Sequence, residues 1–147
     1  FTLGTAGRRH AGRRFRKKRR HDSEAEIQHS HCLCVVDSEV LGKPCDAADA
    51  RRMLQALSGR AHQVITGVCL TSIHKQRVFA VSTEVSFKSL TDEEIDYYIA
   101  NYRPYDKAGA YGIQEWIGYI GVTGLRGSYF NVMGLPVQRI YEELVKW

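Results

Sequence analysis

Nine residues, Asp106-Lys107-Ala108-Gly109-Ala110-Tyr111-Gly112-Ile113-Gln114, bring an acid, a cation, a phenol and an amide together with very little bulk. Small residues let a backbone come close to a ligand. Around them Asp106 offers a metal ligand or a base, Lys107 a cation, Tyr111 a stacking ring and Gln114 an amide that both donates and accepts. A second ammonium stands in Leu41-Gly42-Lys43-Pro44, where the proline restricts the backbone before it and so places Lys43. A fixed ammonium can neutralise a phosphate. A third segment, Gly127 to Pro136, opens onto a helix start, whose free amides suit an anion.

These segments need elements to hold them. Asp46 is a good N-cap, and Ala50, Met53, Leu54 and Leu57 follow at helical spacing until Gly59. His62 to Thr71 is rich in β-branched residues and reads as a strand. A polar turn leads to a second strand from Arg77 to Lys88, with Phe79, Val81, Val85 and Phe87 on one face. Thr91-Asp92-Glu93-Glu94 is a capping box before the stripe Ile95, Tyr98, Ile99, Tyr102, which Pro104 ends. Trp116 to Val122 reads as a strand. Pro136 starts a closing helix with Val137, Ile140, Tyr141 and Leu144 inward. Strands interleaved with helices predict a mixed α/β fold.

The 147 residues suit one domain, and their 44% hydrophobic and 25% charged content is that of a globular protein. No apolar run approaches the roughly 20 residues that span a bilayer. The net charge of +5 is unevenly spread: nine of the 21 Lys and Arg lie between Arg8 and Arg20, leaving 12 against all 16 acids elsewhere. That run could contact nucleic-acid phosphates, although a solvated tail is the preferred reading. Cys32, Cys34, Cys45 and Cys69 show no disulfide-scaffold spacing, and His29 to Cys34 lacks the second ligand pair of a zinc site. Reduced thiols and a cytoplasmic location are expected. The chain opens on Phe1 rather than Met, which points to an absent true beginning.

Leu-Gly-Lys-Pro, the helix ending Leu-Ser-Gly-Arg, His-Gln-Val-Ile-Thr-Gly-Val, the Asp106 to Gln114 loop and Gly-Ser-Tyr-x-Asn-Val-x-Gly-Leu-Pro occur here in order, from Leu41 to Pro136. In this they resemble the Maf family of nucleoside triphosphate pyrophosphatases, over residues 35–147. The resemblance implies an elongated α/β sheet with flanking helices, in a two-lobed fold related to the inosine triphosphatases. It also implies a divalent cation, Mg or Mn, and cleavage between the α and β phosphates. The Ala-Tyr-Gly-Ile-Gln form is similar to the branch acting on dTTP and UTP. Catalytic roles would fall to Lys43, Asp106 and Lys107, and substrate binding to Gln114, Tyr111, Gly112 and Cys32. A homodimer stays open; a membrane is not expected.

The family's acid stands twelve residues before the Lys of Gly-Lys-Pro, and that position here is His31. Residues 1–34 carry no match to its Ser-x-x-Arg-Arg phosphate loop, and read as a basic tail, disordered or out of frame, before an N-terminally incomplete domain. Two alternatives follow: a catalytically inactive nucleotide-binding relative, and a nucleic-acid-binding module acting through Arg8 to Arg20.

Overall fold

The computed structural model describes residues 13–15 and 25–147. β1 (Arg13–Phe15) pairs with the start of β2 (Ala25–Val36), and β3 (Glu39–Leu41) folds back on its end. Asp37 and Ser38 make that hairpin, with φ of 47° and 67°; two successive positive φ values give a turn whose twist matches that of the strands. The other edge of β2 pairs with β4 (Ala61–Thr71), β4 with β5 (Gln76–Phe87), and β5 with β6 (Val122–Arg126). Every pairing is antiparallel, in one six-stranded sheet. A register shift between Ile27 and His29 lets Ile27 face the same side of the sheet as Cys32 and Cys34.

Helices cover one face. In α1 (Ala47–Leu57) the Asp46 carboxylate accepts from Asp49 N at 2.7 Å, and Ala50, Met53, Leu54 and Leu57 are buried. In α2 (Asp92–Tyr102) the capping box forms in full, and Glu94 also takes Lys88 Nζ at 2.8 Å. Arg103 ends α2 at φ 46° ahead of the buried Pro104. Ile95, Tyr98 and Ile99 turn inward, whereas Tyr102 stays 39% exposed.

Three expectations need correction. Trp116 to Val122 is not a strand: α3 (Trp116–Gly121) precedes β6. The glycines decide it, because a Cβ on Gly118 would lie 1.8 Å from the Ile113 carbonyl and one on Gly121 2.9 Å from the Phe87 ring. Only a helical turn with bare glycines packs so closely there. The loop after β6 holds a short helix, α4 (Tyr129–Val132). In α5 (Val137–Val145) Tyr141 is 69% exposed, and the inward place belongs to Glu143, which Arg77 and Arg139 neutralise.

The boundary expected at residue 34 falls inside β2, so residues 25–34 belong to the sheet. The basic run from Arg8 lies outside the described residues except for the backbone of Arg13–Phe15. Among the described residues no helix is long and apolar enough to cross a membrane.

The buried apolar residues form two clusters along the covered face. The larger joins Cys34, Val64 and Phe87 to Leu54, Ile95, Tyr98 and Ile117; the smaller joins Ile27, Val68 and Leu70 to Ile140. Between them lie the buried polar Thr66 and Asn131. This is a mixed α/β architecture with two packed regions on one sheet.

Candidate active site

The loop carrying Asp106, Lys107 and Gln114 is anchored at four points between Ala108 and Gly112. Cys34 Sγ donates to the Ala108 carbonyl at 3.4 Å. Burial, and then the neighbouring Cys32, push the Cys34 thiol up to about 12, so it keeps the proton it donates. Gly109 N donates to the Gly42 carbonyl at 3.0 Å. Tyr111 Oη meets His62 Nε2 at 2.6 Å. Gly112 N donates to Tyr98 Oη at 3.0 Å. Gly109 sits at φ 71°, and a Cβ there would stand 2.7 Å from Cys34 Sγ. Glycine is therefore required at 109 for conformation and for space.

The Gly42–Gly109 bond brings two predicted segments together, because Gly42 precedes Lys43. Lys43, Asp106 and Gln114 are exposed, while Pro44 is buried and fixes the segment. Among the described residues Lys43 enters no ion pair. Lys107 differs: its Nζ lies 3.1 Å from Asp106 Oδ1 and 3.0 Å from Glu115 Oε1. Burial works against its charge, but the bonds from Glu115 and Asp106 outweigh that and hold its pKa above the ordinary lysine value. Two carboxylates already balance Lys107. Of these two lysines, Lys43 is the one left without an ion pair among the described residues.

Tyr111 does not offer a stacking face. Its ring is only 5% exposed and meets the Phe87 and His62 rings edge-on, at 5.0 and 5.4 Å. Gly112 is buried, and its amide is spent on Tyr98. Cys32 is half-buried on the face of Cys34 and bonds to Thr66; burial raises its pKa. His31, one residue earlier on a strand of alternating faces, projects exposed from the other face. The structure does not bring His31 to the loop.

The expected divalent cation finds no ready cage. Among the described residues no three His, Cys, Asp or Glu converge. Asp106 pairs with Lys107, and both oxygens of Glu115 are taken, by Lys107 and by Tyr98 Oη at 3.0 Å. The described residues do not fit a resident metal.

The third segment serves packing. Ser128 caps α4, and Asn131 Nδ2 reaches the carbonyls of Val64 and Val81 and the Thr83 hydroxyl, at 3.2, 3.1 and 3.0 Å. Asn131 thereby clamps the loop onto β4 and β5.

Sequence reasoning missed Tyr98, Glu115 and His62 as supports of the site. Tyr98 fell in an apolar stripe and His62 in a strand, so each looked like filler. Glu115 directly follows Gln114, and that adjacency was the available signal.

An anchored glycine-rich loop beside a fixed lysine, over one face of an antiparallel sheet, defines an α/β protein built to present an ammonium, a carboxylate and an amide together. The chain belongs to the Maf-like protein family, whose model matches residues 15–147. It is 67% identical over 111 residues to a dTTP/UTP pyrophosphatase of Phocaeicola vulgatus, covering 76% of this chain and 58% of that protein. It is 58% identical over 112 residues to one of Porphyromonas gingivalis, covering 76% and 56%. With one of Bacteroides thetaiotaomicron the identity is 55% over 111 residues, covering 76% and 58%. The chain thus spans a little over half the length of these curated relatives.

Proposed function

We propose that this chain is a nucleoside triphosphate pyrophosphatase domain acting on dTTP and UTP, releasing the monophosphate and pyrophosphate. The observation that carries this reading is the Gly42–Gly109 bond, which joins the exposed Lys43 to the loop of Asp106 and Gln114. The names of the relatives support the substrate class.

In the proposed reaction Lys43 neutralises charge on the phosphate chain. Asp106 accepts a proton from water as its oxygen bonds to the α phosphorus. The bond from that phosphorus to the α–β bridging oxygen breaks, and pyrophosphate departs with the electron pair. Lys107, held by Glu115, orients Asp106 rather than adding net positive charge. Gln114 matches the carbonyl and N–H edge shared by thymine and uracil, since its amide donates and accepts. Magnesium or manganese enters with the triphosphate as part of the substrate.

The test is pyrophosphate release from magnesium complexes of UTP, dTTP, CTP, ATP and GTP. Preferential release from UTP and dTTP is expected. Nucleotide binding without release would instead identify an inactive nucleotide-binding relative, a reading favoured by histidine at position 31.

A further inference from the structure

His62 is a costly residue to bury where it lies. It is 2% exposed, and among the described residues its Nδ1 has no hydrogen-bond partner and Tyr111 Oη, 2.6 Å from Nε2, is its sole side-chain bond. Phe87 stacks on the imidazole at 5.5 Å between ring centroids and meets Tyr111 at 5.0 Å. Two apolar side chains would fill this space without an unpaired buried nitrogen, which weakens a core. A short bond supplies what apolar packing does not: a fixed direction. Tyr111 follows Ala110, itself at φ 61°, and precedes Gly112, whose amide bonds to Tyr98. The phenol is thus pinned from below midway along the loop, three residues before Gln114.

We propose that His62 is a positioning residue for nucleotide selectivity: through Tyr111 it fixes the level of the loop and so the approach of Gln114 to the base, without itself touching substrate. This rests on the reading of Gln114 given above. It assigns function to a residue on β4 that belongs to the core by burial alone.

Three variants and two readouts test it. Tyr111→Phe keeps the ring but removes the bond, His62→Leu removes the imidazole, and His62→Gln keeps a donor at similar reach. The ratio of UTP to ATP turnover should fall about tenfold in Tyr111→Phe and His62→Leu, with the far-ultraviolet circular dichroism unchanged, and recover at least partly in His62→Gln. Amide hydrogen exchange at Gly112 should speed up in the same two variants and not in the third. Folded variants with lowered melting temperature but an unchanged UTP to ATP ratio would reduce His62 to a packing residue and overturn the proposal. Should the unaltered chain turn over no nucleotide, the pyrophosphatase reading fails by itself. Exchange then decides whether His62 holds the loop, and unchanged Gly112 exchange in His62→Leu rejects that too.

Discussion

Glu115 Oε1 lies 3.0 Å from Lys107 Nζ while its Oε2 accepts from Tyr98 Oη at 3.0 Å, so one carboxylate ties a lysine of the loop to a buried tyrosine of α2. Tyr98 in turn holds the Gly112 amide. Glu115→Gln keeps the shape of this link and removes its charge. Lys107 would then turn toward Asp106 alone, and turnover should fall while the fold persists. Steady-state kinetics beside a thermal melt check this; equal turnover by the variant would show that Glu115 has no part in orienting Lys107.

Lys43 and Lys107 should respond differently to alanine. Lys43 is exposed and unpaired among the described residues, so Lys43→Ala should lower kcat by about a hundredfold or more, the scale of losing one electrostatic stabiliser. Its melting temperature should barely move. Loss of the folded state on this change would make Lys43 structural.

Gln114→Ala should weaken dTTP and UTP together and leave purine nucleotides nearly unaffected. An unpaired polar contact costs about 1–3 kcal/mol, or roughly five- to a hundredfold in kcat/KM. Gln114 is exposed, so the fold should be indifferent. An unaltered pyrimidine to purine ratio would remove it from base reading.

Gly109→Ala should destabilise through two separable effects. The positive φ costs roughly 1–2 kcal/mol for a side-chain-bearing residue, and the overlap with Cys34 Sγ adds about 1–3 kcal/mol. Pairing it with Cys34→Ala should relieve only the overlap. Urea denaturation of the single and double variants measures both parts, and no recovery in the double variant would contradict the assignment.

Burial lowers the pKa of His62 from its ordinary 6.5 to about 4. The folded state therefore refuses a proton that the unfolded state accepts. The stability tied to neutral His62 is fully present above pH 6.5 and drains away as pH falls toward 4, at up to about 1.4 kcal/mol per pH unit. Denaturation at several pH values should show a steeper acid loss for the unaltered chain than for His62→Gln, which does not titrate. Parallel curves would refute a buried neutral imidazole.

Periodicity and capping chemistry in the sequence located α1, β4, β5 and α2, because each is a local pattern reinforced by burial on one side. Pro44, the Thr91 capping box and Pro104 were similarly legible. The error at Trp116 to Gly121 arose because Ile117 and Ile120 favour a strand locally, while the close approach of Gly118 to Ile113 is a tertiary fact. Tyr141 and Glu143 exchanged roles for a comparable reason: Arg77, from distant β5, makes the buried acid tolerable. At the candidate site, residue types revealed the loop and Lys43. The burial of Tyr111 and the support from His62 depend on a partner 49 residues away, which no short window contains, whereas the partners of Lys107, Asp106 and Glu115, lie close in sequence and are brought to it by the fold of the loop.

Three of the four loop anchors grip main-chain atoms: the Ala108 carbonyl, the Gly109 amide and the Gly112 amide. None of them uses the side chain at position 114. The mount and the proposed reading head are therefore separate parts, and mutation can exchange the second without disturbing the first. On the proposed role of Gln114, a lineage carrying this loop can explore new bases by single substitutions at one exposed position, with folding left intact at each step. Under that proposal substrate preference can drift quickly on such a scaffold while the residues beneath it hold still.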